Sequence, residues 1–339
     1  MADLRSRFRE RNSDGDEDRA QLVLVTALIL GVALIALVLL VNAAIYTENL
    51  ATRDPDVGDE EALAFEDAVV DGVGGIVDRE NANEYDTYDA VRTNISASVE
   101  VLNEHLERTK LENGIIASMN LSTTSYSEGR LILHTNSSRN FTAADDSADW
   151  TLAENISETR QYVATVKDDH LVSTNASNAS SDGAFHLVLD GGTLSNEWHA
   201  YVYENQSTNE IAVAVKPGNV SDPANAKEVC SVAATNATID FTAGSIDGQE
   251  CSGLTWAEAI PDEYDIRYEN GHNASGTYEA TINGTDSNLV NVGDLLMEDT
   301  DSSPRFVPAV YSVRVQFTYR SPNLEYRTTV RIARGEPDA

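Results

Sequence analysis

Lysine is nearly missing from this chain. Four of its 339 residues are lysine (Lys110, Lys167, Lys216 and Lys227), and 23 basic residues stand against 56 acidic ones, a formal net charge of -33. No stretch gathers enough cationic side chains to displace the counterions of a phosphate backbone, so nucleic acid is not an expected partner. Cysteine is as scarce: Cys230 and Cys251 are the only two, without histidines at ligand spacing, which is too few for a structural zinc site. The six histidines (His105, His134, His170, His186, His199 and His272) include no pair four apart and no His-Glu-x-x-His. Nucleophile-elbow, phosphate-loop and dinucleotide fingerprints are absent. Asp71-Gly72-Val73-Gly74-Gly75 is glycine-rich but follows a helical face, not a strand. The oxygen-rich segment from Asn12 to Asp18 has Glu17 where a calcium loop needs glycine, and Val23 where it needs a bidentate glutamate. No residue set asks for a metal or cofactor, and none supports an enzyme.

Long apolar runs are also lacking, with one exception. Leu22 to Val41 is twenty residues without a charge. As a helix it would be about 30 Å long, the thickness of a bilayer's hydrocarbon core. Five arginines precede it (Arg5, Arg7, Arg9, Arg11 and Arg19), whereas Arg53 is the one basic residue soon after it. Orientation follows the bias of Lys and Arg in short flanks. The reading is a single-pass cell-membrane protein with its N-terminus in the cytoplasm and everything from about residue 46 outside, Tyr46 sitting at the outer headgroups.

Three fates of this run are open. A secretory signal would have an apolar region of roughly 7–15 residues and a clear small-residue cut site; this run is longer and its exit is a poor site. An uncleaved anchor is the plainest. The third rests on Arg19-Ala20-Gln21-Leu22-Val23, a charged residue, a small one, glutamine, then the apolar helix. That pattern resembles an archaeal class III prepilin signal, and the resemblance implies cleavage between Ala20 and Gln21, with a prepilin peptidase and other pilin-like subunits as partners beside membrane lipid. Val25 stands where bacterial pilins carry a glutamate. The segment from Asp18 to Arg53 also resembles the start of a haloarchaeal family of pilin-like, membrane-anchored proteins with no established activity, a resemblance that covers about the first fifty residues of the chain.

The acid is dispersed, and 41% of residues are hydrophobic. That is not a disordered composition. Dispersed acid with few lysines suits a folded surface in molar salt, where a Debye length of about 3 Å screens self-repulsion. Both cysteines fall in the exterior segment, and their even number there favours one disulfide. Twelve asparagines stand in Asn-x-Ser/Thr sequons: Asn94, Asn120, Asn136, Asn140, Asn155, Asn175, Asn178, Asn205, Asn219, Asn236, Asn273 and Asn283. They are half of the asparagines beyond residue 46, all after the apolar run. This excess reads as an N-glycosylated exterior, which demands that the sites lie on exposed turns and strand edges.

Asp54-Pro55-Asp56 interrupts whatever helix leaves the membrane. Phe65, Val69, Val73 and Ile76 then mark a helical face, weakened near its end by Gly72, Gly74 and Gly75. Tyr88, Val91, Ile95, Val99, Leu102 and Leu106 form a coiled-coil-like seam from about Tyr85 to Leu111, stopped by Asn113-Gly114. Its reading is packing on the distal domain or the first helix. Beyond Ile115 the period changes to two. Ten strand-like runs follow at 130–134, 161–167, 184–189, 198–204, 210–215, 238–242, 264–268, 277–282, 309–320 and 325–334. Runs four and five, and nine and ten, read as hairpins. The expected fold is α+β: a single N-terminal transmembrane helix, a short helical stalk and an extracellular, mainly antiparallel β-sandwich. The segments are a basic leader (1–20), the membrane helix (21–46), the stalk (47–113) and a glycosylated β-rich domain (114–339).

Overall fold

A computed structural model describes residues 55–337 apart from 193–195, 261–262, 290–295 and 297–301. Pro55, which lacks a backbone donor, takes the first position of helix α1 (Pro55–Asn81), where that donor would be unpaired anyway. The helix continues through Gly72, Gly74 and Gly75. Gly72 is used for close approach, since a Cβ there would lie 2.7 Å from Leu102 of the neighbouring helix. That helix is α2 (Tyr88–Glu112); Thr87 caps it by accepting from the Ala90 N–H, and Asn113 ends it.

The strands form two sheets, antiparallel but for one short pairing. In the first, β1 (Ile116–Met119) and β2 (Ser125–His134) pair with successive stretches of the sixteen-residue β15 (Arg305–Arg320). The hairpin partner β16 (Glu325–Ile332) takes β15's other edge. From β2 the sheet continues through β14 (Gly276–Asn283), β4 (Thr159–Lys167) and β10 (Asn236–Asp240). The two-residue strands β11 (Ser245–Ile246) and β12 (Gln249–Glu250) finish it. The second sheet runs β3 (Trp150–Ile156), β13 (Tyr264–Glu269), β6 (Phe185–Asp190), β7 (Glu197–Asn205), β8 (Ile211–Lys216) and β9 (Lys227–Val232). The short β5 (Ser173–Thr174) lies parallel to the end of β7.

Alternation decides the layering. Tyr162, Ala164 and Val166 of β4 share one core with Leu187 and Leu189 of β6 and Trp198, Ala200 and Val202 of β7, so the sheets pack face to face as a β-sandwich. Each such valine or leucine contributes roughly 1.5–3 kcal/mol when fully buried. The disulfide Cys230–Cys251, Cα atoms 5.5 Å apart, ties β9, the edge of the second sheet, to the chain just past β12, the edge of the first.

The expected fold needs correction here. Among the described residues no helix is long and apolar enough to cross a membrane, and the helix expected over 21–46 lies outside them. Nor do the described helices form a stalk ahead of a separate domain, because Leu63–Ala339 is one compact unit and Met1–Ala62 another. The helices lie on the first sheet. Phe65 meets the ring of Phe317 edge-on at 5.5 Å and Tyr319 at 5.9 Å, and Val69, Val73, Val91, Ile95 and Val99 are fully buried. The seam that reads as a coiled coil is a floor contact. An apolar stripe of this width states that something covers it, not what does.

Polar pins fix the docking. Asp78 accepts from Arg160 of β4 at 2.7 Å, and Glu84 takes a two-pronged contact from Arg305 of β15 at 2.9 and 3.0 Å. Between them Asn81, 4% exposed, donates its amide N–H to the Val310 carbonyl and accepts the Val310 N–H, both at 2.9 Å. This happens at a bulge, where the β2–β15 register shifts between Val310 and Ser312. β16 has already ended there, with Ile332 opposite Val313. One side chain does the work of the missing strand.

Candidate functional site

All twelve sequon asparagines fall within the described residues, and none is buried. Asn94, Asn120, Asn136, Asn155, Asn178, Asn219 and Asn236 are exposed; Asn140, Asn175, Asn205, Asn273 and Asn283 are half-buried. Asn94 stands within α2, and the others occupy turns, loops, short 3-10 segments, an isolated bridge, the first position of a strand (Asn236) or the last two positions of strands. The two buried asparagines among the described residues, Asn81 and Asn103, belong to no sequon. Six of the twelve amides donate to the protein: Asn94 to Ala90, Asn120 to Gln316, Asn140 to His272, Asn205 to Glu228, Asn273 to Gly183 and Asn283 to Glu158. Arg19, Ala20 and Gln21 lie outside the described residues.

The densest set of titratable groups is on the outer face of the second sheet, and no spacing in the sequence announces it. The β6–β7 register places His186 opposite Tyr201 and Val188 opposite His199, which stacks the two imidazoles with centroids 5.2 Å apart. His186 Nε2 lies 3.0 Å from Glu269 and His199 Nε2 3.5 Å from Glu197, while Arg267 reaches Glu197 at 3.1 Å and Asp190 at 3.4 Å. Burial, then the neighbouring His186, lowers His199 to about 3. Burial, then Asp190, raises Glu197, whereas the His186 hydrogen bond lowers Glu269. Every charged member has a partner, and the loops carrying Ala179 and Ala226 pack over Tyr201, Tyr203, Ala212 and Ala214 of the same sheet. Chemically this is a self-neutralised polar patch, not a nucleophile with its base. Among the described residues no group of three or more His, Cys, Asp or Glu is placed to hold a metal ion.

A groove of about 390 Å³ opens on the first sheet, lined by Leu133, His134, Val163, Thr165, Thr277 and Glu279 among others. Gln161 donates to Glu279 at 2.9 Å. Burial, then Asp240 and Asp78, raises the Glu279 carboxyl. Burial lowers His134 to about 4, and its Nδ1 meets the Ser303 hydroxyl at 3.0 Å. One half-buried acid on a threonine-lined floor provides hydrogen bonds but no paired catalytic groups.

Comparison with known proteins adds one finding. No curated protein and no solved structure matches the chain. The matched segment takes in the apolar run, both helices, β1 and β2, and stops before the second sheet begins: over residues 16–145 the chain is similar to a family of unknown function, DUF7261.

Proposed function

We infer that this is a pilin-like cell-surface protein, held in the membrane by its N-terminal apolar run, with its β-rich body outside and carrying N-linked glycans. One observation carries the reading. Twelve of twelve sequon asparagines reach solvent, while the two buried asparagines among the described residues are not sequons. Glycosylation requires exposure at every occupied site, and every sequon meets that requirement. The apolar run, its arginine-rich leader and the Arg19-Ala20-Gln21 junction supply the anchor and the processing site. Prepilin peptidase and other pilin-like subunits are the partners this implies.

Mass spectrometry of the protein isolated from its native membrane tests both parts. A mature N-terminal peptide starting at Gln21 supports pilin-like processing; one starting at Met1 or Ala2 refutes it. Glycan should be found first at Asn136, Asn155, Asn178, Asn219 and Asn236, which are exposed and whose amide nitrogens donate to no acceptor within the described residues. Twelve unmodified asparagine peptides would overturn the glycoprotein reading.

A second reading has one observation in its favour. The helical seams are consumed by the first sheet. Neither described helix is left over to pack on a neighbour, which suits an uncleaved single-pass surface or adhesion protein that does not polymerise.

A further inference from the structure

The groove on the first sheet and one sequon share a face. Ala164 and Val166 of β4, Tyr278 and Ala280 of β14, and Ala237 and Ile239 of β10 belong to the sandwich core. Alternation turns their neighbours Val163, Thr165, Thr277, Glu279, Asn236 and Thr238 to the opposite face. Register sets these in rows across the strands. Thr277, Thr165 and Thr238 lie side by side, and Glu279, Val163 and Asp240 form the next row. The Thr165 and Thr238 hydroxyls meet at 2.9 Å.

This floor suits a polyol. Threonine offers a hydroxyl that donates and accepts, beside a methyl on which a C–H face can rest. Gln161 donates to one Glu279 oxygen, and among the described residues the other oxygen accepts nothing. Lys167, on the same face, gives its amine to the Ser137 carbonyl. The volume, about 390 Å³, falls within the roughly 300–1,000 Å³ of small-ligand clefts. Asn236 stands at the rim. It pairs with Lys167, one strand and one row from Thr165, a diagonal of about 7–8 Å. It is exposed, its amide nitrogen donates to nothing among the described residues, and its sequon threonine is Thr238. A ligand tethered at that distance has an effective concentration on the order of millimolar, so a few weak hydrogen bonds hold it.

We propose that the glycan on Asn236 folds back across β4 and seats its first sugars in the groove, against Thr165, Thr277 and Glu279. The ligand is a neutral pyranose. Its hydroxyls exchange hydrogen bonds with the two threonines and the open Glu279 oxygen, and its C–H face lies on Val163 and the threonine methyls. The groove is thus a saccharide site filled from within the molecule. This rests on the glycoprotein reading above.

The test uses the protein isolated from its native membrane, in molar salt. Mild periodate cleaves the vicinal diols of each glycan, and glycopeptide mass spectrometry follows the rate at each site, divided by the rate at that same site in urea. The ratio at Asn236 should be lower by about fivefold or more than at the occupied sites among Asn178 and Asn219, as for a glycan free of its seat one time in five or less. Thr277→Tyr, which fills the groove, should raise the Asn236 ratio to theirs. Equal ratios in the wild type put the glycan in solvent, leave the groove to a ligand from outside and overturn the proposal. A low ratio that Thr277→Tyr leaves unchanged places the cover elsewhere and overturns it as well. An unmodified Asn236 beside occupied sequons refutes the seat and keeps the glycoprotein reading. Absence of glycan from all twelve removes both.

Discussion

Replacing Asn81 by alanine removes two hydrogen bonds at once. The Val310 N–H and carbonyl would then face a buried space on an edge of β15 that β16 no longer covers. A buried polar group stripped of its partner costs about 1–3 kcal/mol. Some water will reach a site on a strand edge, so the lower half of that range applies to each group and the expected loss is about 2–4 kcal/mol. For a body of this size that corresponds to roughly 3–7 °C in Tm. Chemical denaturation in molar salt gives the number, and an unchanged m-value would show that the change lies in stability. Asn81→Asp is the sharper variant: it keeps an acceptor for the Val310 N–H but sets a carboxylate against the Val310 carbonyl. It should be worse than alanine at pH 7 and recover relative to wild type as the pH falls, because a buried acid is protonated more readily in the folded state. If Asn81→Ala lies within about 0.5 kcal/mol of wild type, the side chain is not standing in for a strand and the account of helix docking fails.

Removing the disulfide with Cys230→Ser and Cys251→Ser should cost about 3 kcal/mol from loop closure; equal urea midpoints with and without reductant would contradict this. Acid should destabilise the body between pH 7 and 5. Burial holds His134 and His199 down to about 4 and about 3, while an unfolded imidazole titrates near 6.5. The unfolded chain therefore binds protons that the fold refuses, and each histidine removes about 2 kcal/mol by pH 5. His199→Gln should flatten the profile, and a wild-type profile already flat over that range refutes the assignment; the raised carboxyls of Glu197 and Glu279 act oppositely, lower on the scale. Gly276→Ala should be among the most damaging small substitutions. Its φ is +143°, and a Cβ would fall 1.9 Å from the Thr165 carbonyl oxygen; a folded variant with unchanged Tm would show that this backbone can shift.

Much of the local structure is legible in the sequence. All ten strand-like runs are strands, both hairpins close as expected, and Asn113 ends α2. What stays hidden is mostly pairing at long range. The seam from Tyr88 to Leu106 looks the same whether it meets a helix or a sheet, and its floor, β15, is about two hundred residues away. β3 hides because its pairing with β13 is irregular and Asn155 takes a positive φ of 56°, breaking the alternation a reader looks for. β9 hides because an edge strand with half of its faces wet carries little apolar contrast. The histidine–carboxylate patch is invisible for a similar reason. His186 and His199 are thirteen apart, a separation that means nothing until a hairpin register lays one strand on the other. The sequons were readable as a motif, and their freedom from burial became visible only with the fold.

β15 has a consequence for the order of manufacture. A ribosome delivers α1, α2, β1 and β2 early and their shared neighbour close to last, since Ile116 waits for Arg320 and Leu133 for Arg305. Until then the valines under the helices have nothing to settle against. Such late closure makes assembly slow and leaves greasy surfaces open meanwhile. A nascent chain of this design is knitted together last, by its own far end.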